Sequence, residues 1–435
     1  MTTNRPTVVL VYQRTSLPWV FESAERAGID LVLVPRPDDT VAADPPPAVT
    51  EVLPLDLDAD RAGALEVLRK RHADQPFQGI VTLYDPAVPF VAEAAEILGL
   101  PGISLDAALG AQDKRVMRAR LAAAGLNVPR FERLDAPGTG PGADTGGGPG
   151  GWEEAAARLT FPVVVKPAHG FSSLGVTKAA TPDSLGAVVE EVRRICAAQL
   201  GRPDGLVVEE YLDGPEFAVE SLAHGGEVRV LSIGYKGEPE GPHFEESVYR
   251  APASLPEDVA ADIRREVVAA HAALGITDGP THTELRLRGG RTPYLLELGA
   301  RIGGSGVSHY IASHVTGIDV AAEALRIAAG TAPASMGGGD PVPVGAAANY
   351  IVPCGGSGRI TAIHGLDAVR EDPRVDHVVQ MLFPGDVVRP YPDFTGYPAF
   401  VLSRHAEVTE AEEFHRWLER SVRIDYAPLD PSQLP

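Results

Sequence analysis

Cysteine is nearly absent from this chain: Cys196 and Cys354 are the only two in 435 residues. Two are too few for a disulfide framework, and no C-x-x-C spacing exists for zinc or redox work, so a reducing compartment is expected. Positive charge is also short. Lys and Arg number 38 against 59 Asp and Glu, a formal charge of -21, which argues against a nucleic-acid backbone or an anionic membrane surface as partner, since both demand a basic face. No apolar run approaches the ~20 residues needed to span a bilayer. The start, MTTNRPTVVLVYQR, turns polar after a short apolar run, so no secretory segment is expected. These absences lead to the expectation of a soluble cytoplasmic protein whose partners are small molecules. Two nucleotide motifs are missing as well. No G-x-G-x-x-G follows the first apolar run. From Gly170 the chain runs four residues to Gly175 and then Val176 and Thr177, placing valine where a P-loop needs lysine.

What is present is an ordinary globular composition, 44% hydrophobic, long enough for roughly two to four domains. The first hundred residues alternate β-branched runs (TVVLVY, DLVLVP, GIVTLY) with amphipathic ones, a pattern of βαβ units on a parallel sheet covered on both faces. A boundary is expected near Ala111, before a helix that ends at Gly125. Asp135 to Gly151, dominated by Gly and Pro, reads as a surface loop. FPVVVKP and GVTKA then read as two strands joined by AHGFSSL. A P-loop leads into a helix, whereas this loop leads into a strand. It is therefore a Gly-rich β-hairpin, in which Gly170 and Gly175 let backbone N–H groups converge on an anion and Ser172 and Ser173 add hydroxyl donors.

Farther along, PEDVAADIRREVVAAHAALG carries Val259, Ile263, Val267, Ala270 and Leu274 on one helical face, closed by Gly275. THTELRLRGGRTPYLLELGARIGG reads as a hairpin that carries Glu284 and Glu297 toward the same end. Lone carboxylates inside apolar strands are costly and normally bring a cation or a proton with them. Two converging ones suggest Mg²⁺, or Mn²⁺ in its place; the alternative is that both point to solvent. Arg301, beside Gly303, Gly304 and Gly306, suits an oxyanion or phosphoryl group. His282 and His309 lack a metal-type ligand at standard spacing and read as ordinary histidines, and His169, inside the hairpin, reads as a solvated loop histidine with contact to a phosphate as the alternative.

These elements occur in an order that resembles an ATP-grasp enzyme: Lys114 in QDK, Lys166 in VVVKP with its Ser/Gly loop, VEEYLDGPEF, then Glu284, Glu297 and Arg301. The similarity covers most of the chain, and THTE followed by LELGAR looks most like the L-amino-acid ligases that make dipeptides. The fold this implies is a multi-domain α/β and α+β chain. Residues 1–110 would form a parallel α/β domain of the biotin-carboxylase N-terminal type, 111–205 a lid subdomain with the phosphate hairpin, 206–330 a central subdomain with the metal site, and 331–435 a C-terminal α+β domain.

The resemblance also implies roles. Lys114 and Lys166 would neutralise the phosphates of ATP under a lid carrying Ser172 and Ser173. Glu209, Glu210 and the backbone of Leu212 would meet the adenine, and Glu216 the ribose. Glu284 and Glu297 would hold Mg²⁺, and Arg301 would stabilise an anionic tetrahedral intermediate, with Gly303 and Gly304 beside the substrate. Two positions depart from the pattern. The residue two after Glu297 is Gly299 where an asparagine ligand is usual, and Tyr249 stands where relatives tend to carry a histidine thought to handle the amine proton.

Glu246 and Arg250 are expected to line the substrate pocket, pairing an ammonium and a carboxylate. The activity expected is ATP-dependent amide formation from an amino-acid carboxylate, through an acyl phosphate, to the amine of a second amino acid or specialised metabolite. Antibiotic or peptide-metabolite pathways are the association of such ligases. A bicarbonate-using carboxylase and an ATP-binding protein without turnover share the motifs and stay open as alternatives. Chains of this fold often form homodimers, and nothing in the sequence marks an interface.

Overall fold

The computed structural model of the chain describes residues 5–13, 19–39, 41, 44–135, 151–170, 173–199, 205–238, 241, 243–389 and 396–429. Ser172 and the interior of the Gly/Pro loop after Asp135 lie outside these residues.

The apolar runs at the start form a parallel sheet from β1 (Thr7–Tyr12), β2 (Asp30–Pro35), β3 (Val49–Val52) and β4 (Gly79–Thr82), in the order β3-β2-β1-β4. Val8, Leu10, Leu31 and Leu33 pack into one core cluster and Val9, Val11, Val32 and Val34 into another. With apolar layers on both sides, the strands need no polar alternation. After β4 a short turn, Asp85–Ala87, starts the helix Val88–Leu98. Ala111 falls inside the helix Leu105–Gln112, and Asp113 then caps the next helix, Lys114–Ala123, by accepting from Arg115 N at 2.8 Å. An Asp N-cap satisfies a helix donor that would otherwise be orphaned.

A second sheet is antiparallel: β5 (Phe131–Leu134), β6 (Val163–Pro167), β7 (Thr177–Ala179) and β8 (Leu206–Glu210), in the order β5-β8-β6-β7. The hairpin expected around Gly170 and Gly175 is the β6–β7 connection. Gly175 has φ of 73° there, and Ser173, at φ 54°, shares the left-handed region that a non-glycine residue seldom adopts. The helix Pro182–Gln199 covers this sheet with Leu185, Val189 and Val192.

The largest sheet uses β9 (Glu216–His224), β10 (Glu227–Gly237), β11 (Val248–Ala251), β12 (Gly279–Arg288), β13 (Thr292–Gly299) and β14 (Ala346–Ile351). The chain continues through β15 (Gly358–His364), β16 (Val375–Gln380), β17 (Val387–Val388), β18 (Ala399–His405) and β19 (Arg423–Ala427). Of these, β16 and β18 extend the large sheet to the order β13-β12-β9-β10-β11-β14-β18-β16, while β17, β15 and β19 form a small sheet of their own. The eight-stranded sheet thus runs on without a break past residue 330.

Strand alternation gives the large sheet two different faces. Phe217, Val219, Leu285, Leu287 and Ile233 point to one side, against the helix Glu257–Leu274, whose Val259, Ile263, Val267, Ala270 and Leu274 are all buried. Side chains of period 2 must then send Glu216, Glu220, His282, Glu284 and Arg286 to the other side. Glu216, His282, Glu284 and Arg286 line one cleft of ≈ 640 Å³ between the large sheet and the antiparallel lid sheet, and Glu220 lies buried behind His282.

Candidate active site

The floor of the cleft is built from cross-strand pairs. On β9 and β12, Glu220 lies opposite His282, Ala218 opposite Glu284, and Glu216 opposite Arg286; on β13, Glu297 lies opposite Glu284. Directly opposed side chains in an antiparallel ladder stand within contact distance; the Glu220–His282 and Glu216–Arg286 pairs join opposite charges, whereas Glu284 faces a second carboxylate, Glu297. These two are neighbours whose repulsion is offset by a lysine each. Lys236 Nζ on β10 sits 2.5 Å from Glu284 Oε1, 2.8 Å from Glu246 Oε1 and 3.3 Å from Glu216 Oε1. Lys114 Nζ sits 3.2 Å from Glu297 Oε2 and donates to Gly170 O at 2.9 Å.

Burial alone would make charge expensive here, and the neighbours reverse that. Burial would lower the Lys236 pKa, but the carboxylates of Glu246, Glu284 and Glu216 hold it well above the usual lysine range. Burial would raise the Glu284 pKa, but Lys236 and His282 hold it well below the usual carboxylate range. His282 Nδ1 is 2.7 Å from Glu220 Oε1, and its Nε2 is 3.4 Å from Glu284 Oε1. Against its own burial, Glu220 and then Glu284 raise the imidazole to about 9. The resting site therefore holds an imidazolium between two carboxylates.

The lid supplies a second charged set. Glu209 on β8 is 1% exposed, with Arg118 Nε 2.5 Å from its Oε1 and Lys166 Nζ 2.8 Å from its Oε2. Arg118 also donates to Leu296 O on β13, so it ties the lid sheet to the large one. Burial opposes ionisation of Glu209, but Arg118 and Lys166 outweigh it and bring the pKa down to about 2. Nearby, Glu210 Oε1 accepts from Thr160 N at 2.9 Å and pairs with Arg130 at 3.2 Å. Arg286 donates to Leu212 O at 2.7 Å and to Glu216 Oε2, fixing the turn between β8 and β9.

Arg301 enters from the far end of β13. Its Nε donates to Asp85 Oδ1 at 2.8 Å, across 216 residues of sequence. A Cβ on Gly299 would lie 3.4 Å from that same Asp85 oxygen. Glycine at 299 therefore leaves room for a carboxylate delivered by the N-terminal sheet, where a longer side chain would crowd it. At Gly303 a Cβ would come within 2.5 Å of both His282 Nδ1 and Ser308 Oγ, closer than real atoms approach. Only glycine lets this turn lie against the histidine. Trp19 holds the turn from the other side, its indole N–H donating to Gly306 O at 3.0 Å.

Of the residues expected from sequence, Lys114, Lys166, Ser173, Glu209, Glu210, Leu212, Glu216, Glu246, Tyr249, Glu284, Glu297, Arg301 and Gly304 line this one cleft. Three expectations need correction. Arg250 does not line it: strand alternation sends Arg250 to the face opposite Tyr249, where it pairs with Glu412 at 2.8 Å and lies 4.3 Å from the centre of the Tyr235 ring. The Glu209 carboxylate is taken up by Arg118 and Lys166 and cannot also meet an adenine edge. Tyr249 is unsuited to proton transfer, because its hydroxyl donates to Glu220 Oε1 at 2.7 Å and burial together with that carboxylate raises its pKa well above the usual tyrosine range.

His282 is the converse correction, since the sequence reading set it aside and the structure places it at the centre. His309 fits the structural reading: it is buried, with Nδ1 3.1 Å from Ala321 N and from Ser313 Oγ, and burial lowers it to about 4. Lys236, Arg118, Glu220, Arg286 and Asp85 were missed. The one usable signal was period 2: Lys236 lies in EVRVLSIGYKG and Glu220 in EFAVESLAH, charges in apolar strands like Glu284 and Glu297.

The residues fit a divalent cation in part. Glu284 and Glu297 offer hard oxygen donors of the kind Mg²⁺ prefers, and among the described residues neither Glu284 Oε2 nor Glu297 Oε1 accepts a hydrogen bond. Among the described residues no cluster of three or more His, Cys, Asp or Glu forms a complete metal cage. Any ion held there would complete its shell with water or substrate oxygens. No helix among the described residues is long and apolar enough to cross a membrane.

Comparison with known proteins agrees with this architecture. Residues 21–102 match the ATP-grasp N-terminal domain, residues 159–309 the ATP-grasp domain, and residues 351–427 the L-amino acid ligase C-terminal domain 2. The chain superposes on the crystal structure of L-amino acid ligase from Bacillus licheniformis with a TM-score of 0.86 and 39% identity, covering 98% of this chain and 100% of that one. It is 31% identical over 238 residues to a D-alanine–D-alanine ligase of Aromatoleum aromaticum, 53% of this chain and 71% of the relative. A D-alanine–D-alanine ligase of Ralstonia pickettii is 30% identical over 223 residues, 49% of this chain and 61% of the relative. The biotin carboxylase domain of Hydrogenobacter thermophilus 2-oxoglutarate carboxylase, at 18% identity and a TM-score of 0.70 over 96% of this chain and 90% of that one, shares the fold alone. Full-length likeness at 39% identity, joined to a cleft of paired lysines and glutamates under an antiparallel lid, places the chain among the ATP-grasp carboxylate–amine ligases, as an enzyme of the L-amino acid ligase family.

Proposed function

We propose that this protein uses ATP to activate the carboxylate of one amino acid as an acyl phosphate and joins it to the amine of a second, releasing ADP and phosphate. A carboxylate does not react with an amine at neutral pH because oxide is a poor leaving group, and phosphorylation supplies a better one. The observation that carries this reading is the juxtaposition of Glu284 and Glu297, Lys236 and Lys114 in one cleft with Arg301 at its end. Phosphoryl transfer needs mainly positioning and charge neutralisation, and this cleft concentrates both.

In this reading Lys114 and Lys236 exchange their resting carboxylate partners for ATP phosphates and Lys166 adds its charge while staying on Glu209, with Ser173 donating from the hairpin. Glu210 and the Leu212 backbone border the adenine, and Glu216, held by Arg286, accepts from the ribose. Glu284 and Glu297 hold Mg²⁺ or Mn²⁺, which when bound supplies charge neutralisation and Lewis-acid polarisation at the phosphates. Arg301, oriented by Asp85, donates to the oxyanion that forms when the amine attacks, and Gly303 and Gly304 give it backbone clearance. Glu246 faces the space of the substrate ammonium. Closure of the lid excludes water that would hydrolyse the acyl phosphate. In this reading the lid sheet extends to β8, and the central and C-terminal units share the eight-stranded sheet.

The test is release of ADP and phosphate from Mg-ATP across a matrix of amino acids, singly and in pairs, with bicarbonate as a separate arm. Pair-dependent release with a dipeptide in the mass spectrum is expected. Oxygen-18 in the amino-acid carboxylate should appear in the released phosphate. Release driven by bicarbonate alone, or phosphate free of label, would replace this reading.

A further inference from the structure

The turn Gly303–Gly306 has little of its own to hold it in place. Gly303, Gly304 and Gly306 bring no side chains to anchor it, and Gly304 and Gly306 hold φ of 53° and 108°, in the left-handed region. The bond from Gly306 N to Gly303 O, at 3.1 Å, closes the turn without tying it to a neighbour. Yet the turn lies between Arg301 and the helix Val307–Thr316, and Arg301, Gly304, Val307 and Ser308 all line the cleft. Its position is set by what grips it from outside, and the N-terminal part of the chain does so on both sides. Before the turn, Asp85 accepts from Arg301 Nε. At its end, Trp19, the first residue of the helix Trp19–Ala27, donates its indole N–H to Gly306 O.

Trp19 is itself wedged between elements. Its ring centroid lies 5.2 Å from that of His377 on β16, 5.9 Å from Tyr310 and 6.4 Å from His309, the last two on the helix that follows the turn. The Tyr310 hydroxyl in turn donates to Asp376 Oδ2 on β16 at 2.7 Å. The indole thus stands where an N-terminal helix, the turn and β16 meet, and it is not among the residues that line the cleft. The ring contacts bury area, and the N–H···O bond adds a direction. We infer that Trp19 is a positioning residue for the ligation step: its bond to Gly306 O fixes the glycine turn, and with it Arg301 and the start of the next helix, around the carbon under attack. Misplacement of reacting groups by about 1 Å can cost on the order of a hundredfold in rate. The nucleotide end of the cleft, assigned to Glu210, Leu212 and Glu216, is not held by this turn. The inference rests on the reading of the chain as an amino-acid ligase and adds to it a residue outside the cleft.

The experiment compares the full-length parent with Trp19→Phe, which keeps a ring beside Tyr310 and His377 but removes the N–H. With an amino-acid pair that the parent turns over, kcat for ADP release should fall about tenfold, while KM for ATP changes less than about twofold. Trp19→Ala, which removes the ring as well, should lose at least as much. Unaltered affinity of each variant for a non-hydrolysable ATP analogue shows that it is folded. Fluorescence gives a second readout, because the difference in emission between the parent and Trp19→Phe isolates Trp19 from Trp152 and Trp417. That difference spectrum should change when the amino-acid pair joins the analogue and Mg²⁺. A difference spectrum indifferent to amino acids, a kcat within about twofold of the parent, or a KM for ATP that moves together with kcat overturns the inference. Absence of ADP release by the parent with every pair removes the ligase reading instead, and the difference spectrum, which needs no turnover, still decides the inference.

Discussion

The two halves of the large sheet face the same cleft and are built on opposite principles. On β13, β12, β9 and β10 charged residues line the cleft, and they are already paired: Lys236 with three glutamates, Lys114 with Glu297, His282 with Glu220. On β14, β18 and β16 the residues that line the cleft are apolar apart from Asn349, whose amide oxygen has no hydrogen-bond partner among the described residues. The difference teaches how such a cleft stays folded before substrate arrives. Buried charges are tolerated because they neutralise one another, so binding a polyanion exchanges partners rather than uncovering bare charge. The apolar half needs no such arrangement and is free to be shaped by the substrate alone.

That contrast is broken most severely by removing a carboxylate from the charged half. Glu297→Ala deletes one of the two glutamates assigned to the cation and strands Lys114, whose side chain is 7% exposed. Pair-dependent ADP release should fall by about 10³-fold or more, several kcal/mol of transition-state stabilisation. A fall below tenfold would mean that the carboxylate pair is a structural feature of the sheet.

Glu209, on β8 of the lid sheet, tests whether every buried charge around the cleft serves chemistry. Its pKa falls from 4.5 to about 2 on folding, a difference of roughly 3 kcal/mol. A depressed carboxylate stabilises the fold above the unfolded-state pKa and loses that contribution as pH falls through the folded one. Glu209→Gln should therefore lower stability in denaturant by about 3 kcal/mol at pH 7, and its gap to the parent should close between pH 4.5 and about 2. A gap independent of pH across that window would refute the ion-pair account of Arg118, Lys166 and Glu209.

Sequence reasoning reached part of this cleft and stopped for a physical reason. Glu284 and Glu297 were legible because a short hairpin sets them opposite each other, so local alternation determines their encounter. Lys114, Lys166 and Arg301 were legible by their resemblance to a family order. His282 and Glu220 lie 62 residues apart, and Arg301 and Asp85 lie 216 apart; nothing local announces such partners. Arg118 lies on the buried face of its helix with Lys114, Met117 and Leu121, and its partner Glu209 is 91 residues away. Arg250 was misplaced for the opposite reason: a segment expected at the pocket is a strand, and a strand shows only every second side chain to it.

Asp85 sharpens the comparison because it brings a third region, the N-terminal sheet, to the charged half. Asp85→Asn keeps the shape but weakens the hold on Arg301. The value of kcat should fall by roughly tenfold to a hundredfold while KM for ATP stays near the parent value. A change in KM for ATP with kcat intact would place Asp85 and Arg301 at the nucleotide instead.

The smallest effect is expected at Tyr249, which stands on β11, the strand between the halves. Its ring lies over Gly234, where even a Cβ would come within 2.3 Å of it, and its hydroxyl ends on Glu220 rather than in the cleft. With the phenol held well above its usual range by burial and by Glu220, it neither gains nor loses a proton near neutral pH. Tyr249→Phe keeps the ring and removes one hydrogen bond to a carboxylate that His282 still satisfies. Stability should fall by about 2 kcal/mol, kcat by less than about fivefold, near 1 kcal/mol, and the alkaline limb of the pH–rate profile should not move. Loss of that limb would make Tyr249 an acid–base group after all, and the boundary between the charged and apolar halves would have to be drawn one strand farther along the sheet.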